Sequence, residues 1–281
     1  MRHPEWIKVP MSGMHRTKKI LRDHGVSTVC EEARCPNQGK CFSRDVATFM
    51  ILGDRCTRNC SFCAVESVIP YPPDSDEPEK VADAAHALGL RFVVVTSVTR
   101  DDLSDGGAAQ FAATIYSLRR KIKGIKIEVL TPDFRGDAAS LKTVLDAGPD
   151  VYNHNLETVP RLYAEIRQMA DYSISLNVLK SSKTFHPEIR TKSGIMLGLG
   201  EKGAEVISLM EDLRSVNCDF LTIGQYLRPG RDNPAVVEYV RPEIFEQYKK
   251  IGLEMGFKAV ASSPLTRSSM NADEMYNEIK K

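Results

Sequence analysis

The chain has 281 residues, 42% of them hydrophobic and 27% charged, the balance of a folded globular protein rather than a disordered one. Lysine and arginine total 38 against 37 aspartates and glutamates, so a formal charge of +1 excludes the basic footprint of a dedicated nucleic-acid binder. Apolar runs such as Phe92–Val95 and Ile195–Leu199 fall far short of the roughly 18 residues of a membrane span, and Met1–Pro10 carries charges where a signal peptide needs an apolar stretch, which reads as a cytoplasmic protein with no membrane partner.

Residues 1–46 fit no repeating unit. They carry three cysteines and a basic group, Arg16, Lys18, Lys19 and Arg22, and read as an extension laid against the rest. From about residue 47 onward, short apolar runs alternate with segments of helical period, the pattern of repeated βα units and a parallel sheet in an α/β fold. The predicted strands are Ala47–Leu52, Arg91–Ser97, Lys126–Leu130, Asp150–Asn153, Ile189–Leu197 and Asp219–Gly224, with Phe257–Ala261 a further candidate. Between them, Val81, Ala84, Ala85 and Leu88 form a core-facing helical stripe, with Pro78 near its start and Gly89 past its end. Phe111, Ala112, Ile115 and Leu118 form a second, and Val206, Leu209, Met210 and Leu213 a third. Tyr71–Pro78 reads as a loop, Pro242–Met255 as a helix, and Ser262–Lys281 as a tail.

In parallel βα folds the chemistry gathers at the C-terminal strand ends. Cys56, Cys60 and Cys63 follow the first predicted strand, Thr99–Gly107 the second, Asn153–Thr158 the fourth, Gly198–Gly203 the fifth and Gln225–Arg231 the sixth. The polar, Gly-rich and Cys-rich segments therefore converge on one mouth.

Six of the seven cysteines, Cys30, Cys35, Cys41, Cys56, Cys60 and Cys63, lie within residues 30–63. A disulfide framework is disfavoured by the odd count, by a chain long enough to need no staples, and by the lack of any secretory mark. Clustered thiols point to metal. Four cysteines saturate a four-iron cluster, whereas Cys56-x₃-Cys60-x₂-Cys63 offers three and leaves one iron open to a small molecule. Arg55 and Arg58 beside this triplet are placed to offset the negative charge of a thiolate-ligated cluster. Cys30-x₄-Cys35-x₅-Cys41 also stops at three, so its fourth ligand must come from elsewhere. Zinc is the competing reading, but six cysteines cannot fill two Cys₄ sites and His24 would have to complete one. Cys218 reads as a small buried hydrophobe and His154 as a packed structural histidine. The Gly-x-Gly-x-x-Gly that a nicotinamide cofactor requires is missing.

Cys56-x₃-Cys60-x₂-Cys63, with Phe62 before the last cysteine, resembles the signature loop of the radical S-adenosylmethionine (SAM) enzymes. The first triplet narrows the resemblance to the lipoyl synthase family. Further support comes from Thr28-Val-Cys-Glu-Glu-Ala-Arg-Cys-Pro-Asn37, Ala47-Thr-Phe-Met-Ile-Leu-Gly53, Asp101-Asp-Leu-Ser-Asp-Gly-Gly-Ala108, Asn153-His-Asn-Leu-Glu-Thr158, Lys192-Ser-Gly-Ile-Met-Leu-Gly-Leu-Gly-Glu201, Gly224-Gln-Tyr-Leu227 and Arg267-Ser-Ser-Met270. The resemblance runs from about residue 5 to residue 273.

It implies a partial (β/α)6 barrel over residues 47–261, an N-terminal extension over 1–46 carrying the auxiliary-cluster cysteines, and a C-terminal extension over 262–281 with the Arg-Ser-Ser segment. Cys56, Cys60 and Cys63 would hold a [4Fe-4S] cluster whose open iron is chelated by S-adenosyl-L-methionine, and one electron would cleave the sulfonium to a 5′-deoxyadenosyl radical. Phe62 would lie along the adenine, Gly106 and Gly107 would approach the methionine end, Asn155 and Glu157 would reach the ribose, and Gly198–Glu201 would form the adenine-side loop. Cys30, Cys35 and Cys41 would hold a second, auxiliary [4Fe-4S] cluster as sulfur donor, with Ser269, rather than Ser268, as its fourth ligand. Met270 stands where the family pattern has tyrosine, which removes a phenol but neither the hydroxyls nor Arg267. The implied reaction is insertion of two sulfur atoms at C6 and C8 of an octanoyl group on a lipoyl carrier domain. An electron donor such as a ferredoxin or flavodoxin and cluster-assembly proteins are the implied partners, and the basic group at 16–22 is a candidate contact for an acidic carrier. The alternatives are another two-cluster radical SAM enzyme, or a non-catalytic iron–sulfur or zinc-binding barrel.

Overall fold

The described residues of the N-terminal extension are largely structured. In the computed structural model, which describes residues 4–7 and 14–278, they form helix α1 (His15–Asp23), strand β1 (Ser27–Thr28), α2 (Val29–Glu32) and α3 (Gln38–Phe42). Residues 1–3, 8–13 and 279–281, which include most of Met1–Pro10 and the end of the expected tail, lie outside the described residues. Two units divide the chain, Val9–Asn59 with Ala64–Tyr152, and Met1–Lys8 with Cys60–Cys63 and Asn153–Lys281.

In the first unit, β2 (Thr48–Ile51) is buried along its whole length, as a strand covered on both faces must be. Strand β1 pairs with it antiparallel, Thr28 opposite Phe49, and this pairing docks the extension. Thr17 of α1 adds a second tie, its hydroxyl donating to Phe42 O (2.7 Å). A two-stranded ribbon, β3 (Arg55–Cys56) and β4 (Glu66–Ser67), flanks the cysteine loop. Then come α4 (Glu77–Ala87), β5 (Phe92–Ser97), α5 (Ala108–Lys121), β6 (Lys126–Leu130) and α6 (Ala138–Asp146). β2, β5 and β6 run parallel in that order. The predicted stripes face inward: Val81, Ala84, Ala85 and Leu88 on one helix and Phe111, Ala112, Ile115 and Leu118 on the next are all buried. β7 (Val151–Asn153) carries the chain into the second unit.

There α7 (Tyr163–Ile166) and α8 (Tyr172–Phe185) precede β8 (Arg190–Leu197), α9 (Gly203–Ser215), β9 (Phe220–Gln225), α10 (Pro242–Glu254), β10 (Ala259–Ser262) and α11 (Ala272–Glu278). β8, β9 and β10 are parallel neighbours. The tail expected from residue 262 is instead structured through residue 278. Ala272, Met275 and Tyr276 are buried, and the Arg190 guanidinium lies 4.0 Å from the Tyr276 ring centre.

One buried carboxylate ties the starts of the second unit's strands together. Asp219 accepts from Lys183 Nζ (2.5 Å), Lys258 Nζ (2.7 Å) and Thr191 N (2.9 Å). Burial alone would raise its pKa, but the two lysines outweigh that and hold it below the ordinary carboxylate value. A depressed folded pKa means stability that is present above the unfolded value of about 3.9 and lost as pH falls through the folded value. Asp219→Asn should therefore lower the unfolding free energy by about 2–3 kcal/mol at pH 7. The urea midpoints of variant and wild type should converge as pH falls below about 4, and a gap that persists unchanged in acid would contradict this account.

Candidate active site

The first cysteine triplet is folded into a short helical module of the first unit. Thr28 caps α2, accepting from Glu31 N (3.3 Å), and places Cys30 inside the helix. Cys35 N donates to Cys30 O (3.1 Å) and Cys41 N to Asn37 O (2.9 Å). Burial pushes the Cys30 thiol up to about 12, a backbone hydrogen bond at Thr48 pulls the other way, and Cys35 and Cys41 lie close enough to add to the rise. Burial likewise raises Cys41. Such thiols are poor free nucleophiles, and a metal that binds them must displace their protons.

Cys56, at the end of β3, has a different environment. Its sulfur accepts N–H bonds from Arg58 (3.4 Å) and Thr99 (3.3 Å). Thr57 latches the same stretch to the loop after β5, its hydroxyl donating to Thr99 O (2.9 Å) and accepting from Asp101 N (3.0 Å). Arg58 is buried and donates to Asp101 (2.7 and 3.0 Å) and Asp133 (2.7 and 2.6 Å). The two carboxylates raise its pKa although burial opposes this. The expectation that Arg58 offsets cluster charge is corrected by these distances, because the guanidinium is matched by two acids of its own. Arg55 stacks on Tyr71, 4.1 Å from the ring centre.

The expected glycines open α5. Gly106 and Gly107 have φ of +59° and +89°, and a Cβ on Gly107 would stand 2.2 Å from Leu52 Cδ1. Asp105 accepts from Gly107 N (2.9 Å) and Ala109 N (2.8 Å), so this helix start already faces a carboxylate. The basic group on α1 is largely matched as well: Arg16 pairs with Asp45, Lys18 with Glu31 and Lys19 with Asp23, which leaves little field for an acidic partner.

In the second unit, Cys60–Cys63 is pinned from both sides. Ser61 N donates to Ile166 O (3.0 Å), and Asn233 Nδ2 donates to Ser61 O and Cys63 O (2.9 Å each). Phe62 is half-buried. Arg167 is buried, and although burial disfavours its charge, Tyr163, Glu157 and Cys60 raise its pKa. Arg167 Nη1 donates to Asn155 O (3.0 Å), and Asn155 Nδ2 donates to Glu157 Oε1 (3.0 Å). Glu157 has φ +66°, a conformation rare for a side-chain-bearing residue, held by Glu157 N to Gly194 O (2.9 Å) and Met196 N to Glu157 O (2.8 Å). Burial raises its carboxyl pKa, with Arg167, Asn155 and Arg267 opposing. Glu201 accepts from Gly198 N (2.5 Å) and Leu199 N (2.9 Å) and so closes the loop expected on the adenine side.

Ser268 Oγ donates to Asn155 Oδ1 and accepts from Asn153 Nδ2, both at 2.9 Å. Ser269 is half-buried, and its hydroxyl makes no hydrogen bond among the described residues. Cys218 and His154 are buried. Burial pushes the Cys218 thiol up to about 12.

Asp133, Arg167, Asn233 and Gln225 were missed as positioning residues. Gln225 Nε2 donates to Leu197 O, Tyr226 O and Glu238 O (3.0, 3.1 and 2.9 Å), while its Oε1 accepts from Val240 N (2.8 Å). Its signal in the sequence was a glutamine at the end of an apolar strand.

The donor chemistry fits the implied groups. None of the seven cysteines is in a disulfide. Among the described residues, the buried side-chain atoms without a hydrogen-bond partner include Ser97 Oγ at the end of β5 and Arg167 Nε, and such atoms suit a ligand that supplies the missing partner. Among the described residues, no three His, Cys, Asp or Glu side chains are grouped as ligands of a single metal ion, and no helix is long and apolar enough to cross a membrane.

Residues 50–213 match the model of the Radical SAM superfamily. The lipoyl synthase of Caldanaerobacter subterraneus subsp. tengcongensis is 57% identical over 97% of this chain and 96% of that protein. The lipoyl synthase of Syntrophotalea carbinolica is 55% identical over 98% and 91%, and that of Aquifex aeolicus 53% identical over 94% and 95%. Among solved structures, HydG, a maturase of the [FeFe]-hydrogenase, matches with a TM-score of 0.63 at 12% identity over 98% of this chain and 61% of that one. Methylornithine synthase (PylB) matches with a TM-score of 0.55 at 14% identity over 95% and 87%. At those identities the two structures speak for the fold, a partial α/β barrel of the radical SAM type. Sequence identity over nearly the full length goes further, and the chain belongs to the lipoyl synthase family of the radical SAM superfamily.

Proposed function

We propose that two cysteine triplets divide the work of a sulfurtransferase that inserts two sulfur atoms at C6 and C8 of an octanoyl group on a lipoyl carrier domain. The observation that carries this reading is the 57% identity to a lipoyl synthase over 97% of the chain. Cys56, Cys60 and Cys63 are assigned to the [4Fe-4S] cluster that binds SAM, and Cys30, Cys35 and Cys41 with Ser269 to the auxiliary [4Fe-4S] cluster. With both clusters and SAM bound, one-electron chemistry breaks C–H bonds that resist polar catalysis, and the auxiliary cluster supplies the sulfur.

The chain's own residues bind, orient and exclude water. Arg58 and Thr57 fix the backbone around Cys56, and Ser61 and Asn233 fix it around Cys60 and Cys63. Phe62 is assigned to the adenine, Gly106 and Gly107 to the methionine end, and Asn155 and Glu157 to the ribose. Ser269 is favoured over Ser268 as the ligand because the Ser268 hydroxyl is already engaged as donor and acceptor. Residues 1–46 and 262–281 act as extensions of a 47–261 barrel. A ferredoxin or flavodoxin is proposed as electron donor, and cluster-assembly proteins are proposed to load both sites.

Anaerobic iron, sulfide and zinc analysis with Mössbauer spectroscopy should find about eight irons and eight sulfides per chain, as two four-iron clusters. Zinc without sulfide after attempted reconstitution would overturn the reading. Cys60→Ala should reduce SAM cleavage to background while half of the iron remains, and cleavage at the normal rate would remove the role given to that triplet. Cys35→Ala should retain SAM cleavage and lose sulfur insertion into an octanoyl domain. Lipoyl product from that variant as its only cluster source would refute the sulfur-donor assignment.

A further inference from the structure

The two serines of the Arg267-Ser-Ser-Met270 segment are held differently. Ser268 is clamped between Asn153 and Asn155, whereas the next hydroxyl, that of Ser269, is left without a hydrogen bond among the described residues. The Asn155 amide is bonded on both sides: its Nδ2 donates to Glu157 Oε1 (3.0 Å) and its Oδ1 accepts from Ser268 Oγ (2.9 Å). β8 makes room for this amide at Gly194, where a Cβ would stand 2.9 Å from Asn155 Oδ1 and 2.6 Å from Thr222 Oγ1. Arg167 grips the Asn155 carbonyl from the other side.

We propose that Ser268 is a positioning residue that couples SAM binding to the placement of Ser269. This rests on the reading above in which Asn155 and Glu157 contact the ribose. A ligand that engages those two side chains sets the amide that holds Ser268, and Ser268 is joined by one peptide bond to Ser269. Coupling of this kind is reciprocal, so an anchored C-terminal segment also strengthens SAM binding.

The test uses the anaerobically reconstituted enzyme as wild type, Ser268→Ala, Ser268→Thr and Asn155→Ala, with hydrogen exchange over residues 266–275 and SAM affinity by equilibrium dialysis. In wild type, SAM should slow exchange across 266–275. In Ser268→Ala, exchange there should be fast and indifferent to SAM, and affinity should fall about three- to tenfold, the range for one hydrogen bond. Ser268→Thr, which keeps the hydroxyl, should restore both properties. Wild-type exchange that ignores SAM overturns the proposal without reference to any variant, and so does SAM-dependent protection that persists in Ser268→Ala. If Asn155→Ala binds SAM as wild type does, the ribose assignment fails instead. If Asn155→Ala loses affinity while Ser268→Ala keeps it, the coupling alone fails.

Discussion

The order of the first unit's cysteine loop depends on one buried guanidinium. Arg58 lies two residues beyond Cys56 and is held by Asp101 and Asp133, which reach it from the loops after β5 and β6. A buried charge without partners costs several kcal/mol, so the loop cannot leave this position without also breaking four charge-assisted hydrogen bonds. One cation against two carboxylates leaves a net negative trio, and Arg135 Nε, 3.2 Å from Asp101, balances it from the solvent side. The N–H bonds onto the Cys56 sulfur then follow from where the backbone is held. A ligand meets a loop that is already ordered, and the entropy of ordering it is not charged against binding.

The triplets differ in how their sulfurs are solvated. The Cys56 sulfur accepts two backbone N–H groups, from Arg58 and Thr99. Cys30 is buried in a helix, and its thiol is pushed up by that burial. Hydrogen bonds to sulfur and exposure are among the determinants of cluster potential. A cluster held by the first triplet and one held by the second would therefore meet different surroundings at sulfur.

The strands were legible because β2, β5 and the end of β8 at residues 194–197 read as near-continuous apolar runs, which parallel strands covered on both faces produce. Helix α8 was not. Its buried positions are Ser175, Val178, Leu179 and Ser182, so two of the four places in the stripe are polar and the hydrophobic period vanishes. Helices α2 and α3 span four and five residues, too few for any periodicity to register. In the site, cysteine spacing carried its own chemistry and was readable at sight. Asp101 and Asp133 were not assigned as Arg58 partners because they stand 43 and 75 residues away, and nothing in a carboxylate's neighbours states which distant cation it will meet.

The segment Asn153–Thr158 shows what a motif hides when read as a polar loop. Its backbone follows β8: His154 N donates to Lys192 O (3.1 Å) and Glu157 N to Gly194 O (2.9 Å). Extended chain alternates its side chains with period two. Asn153, Asn155 and Glu157 join in the network that reaches Ser268, and Asn153 and Asn155 are buried along with the intervening His154 and Leu156. The left-handed φ at Glu157 ends the alternation, and the carboxylate is set by a backbone that would relax if the bonds to β8 were absent. What looks like a run of assorted polar residues is chain that leaves β7 and runs on beside β8, and those backbone bonds fix where its side chains stand.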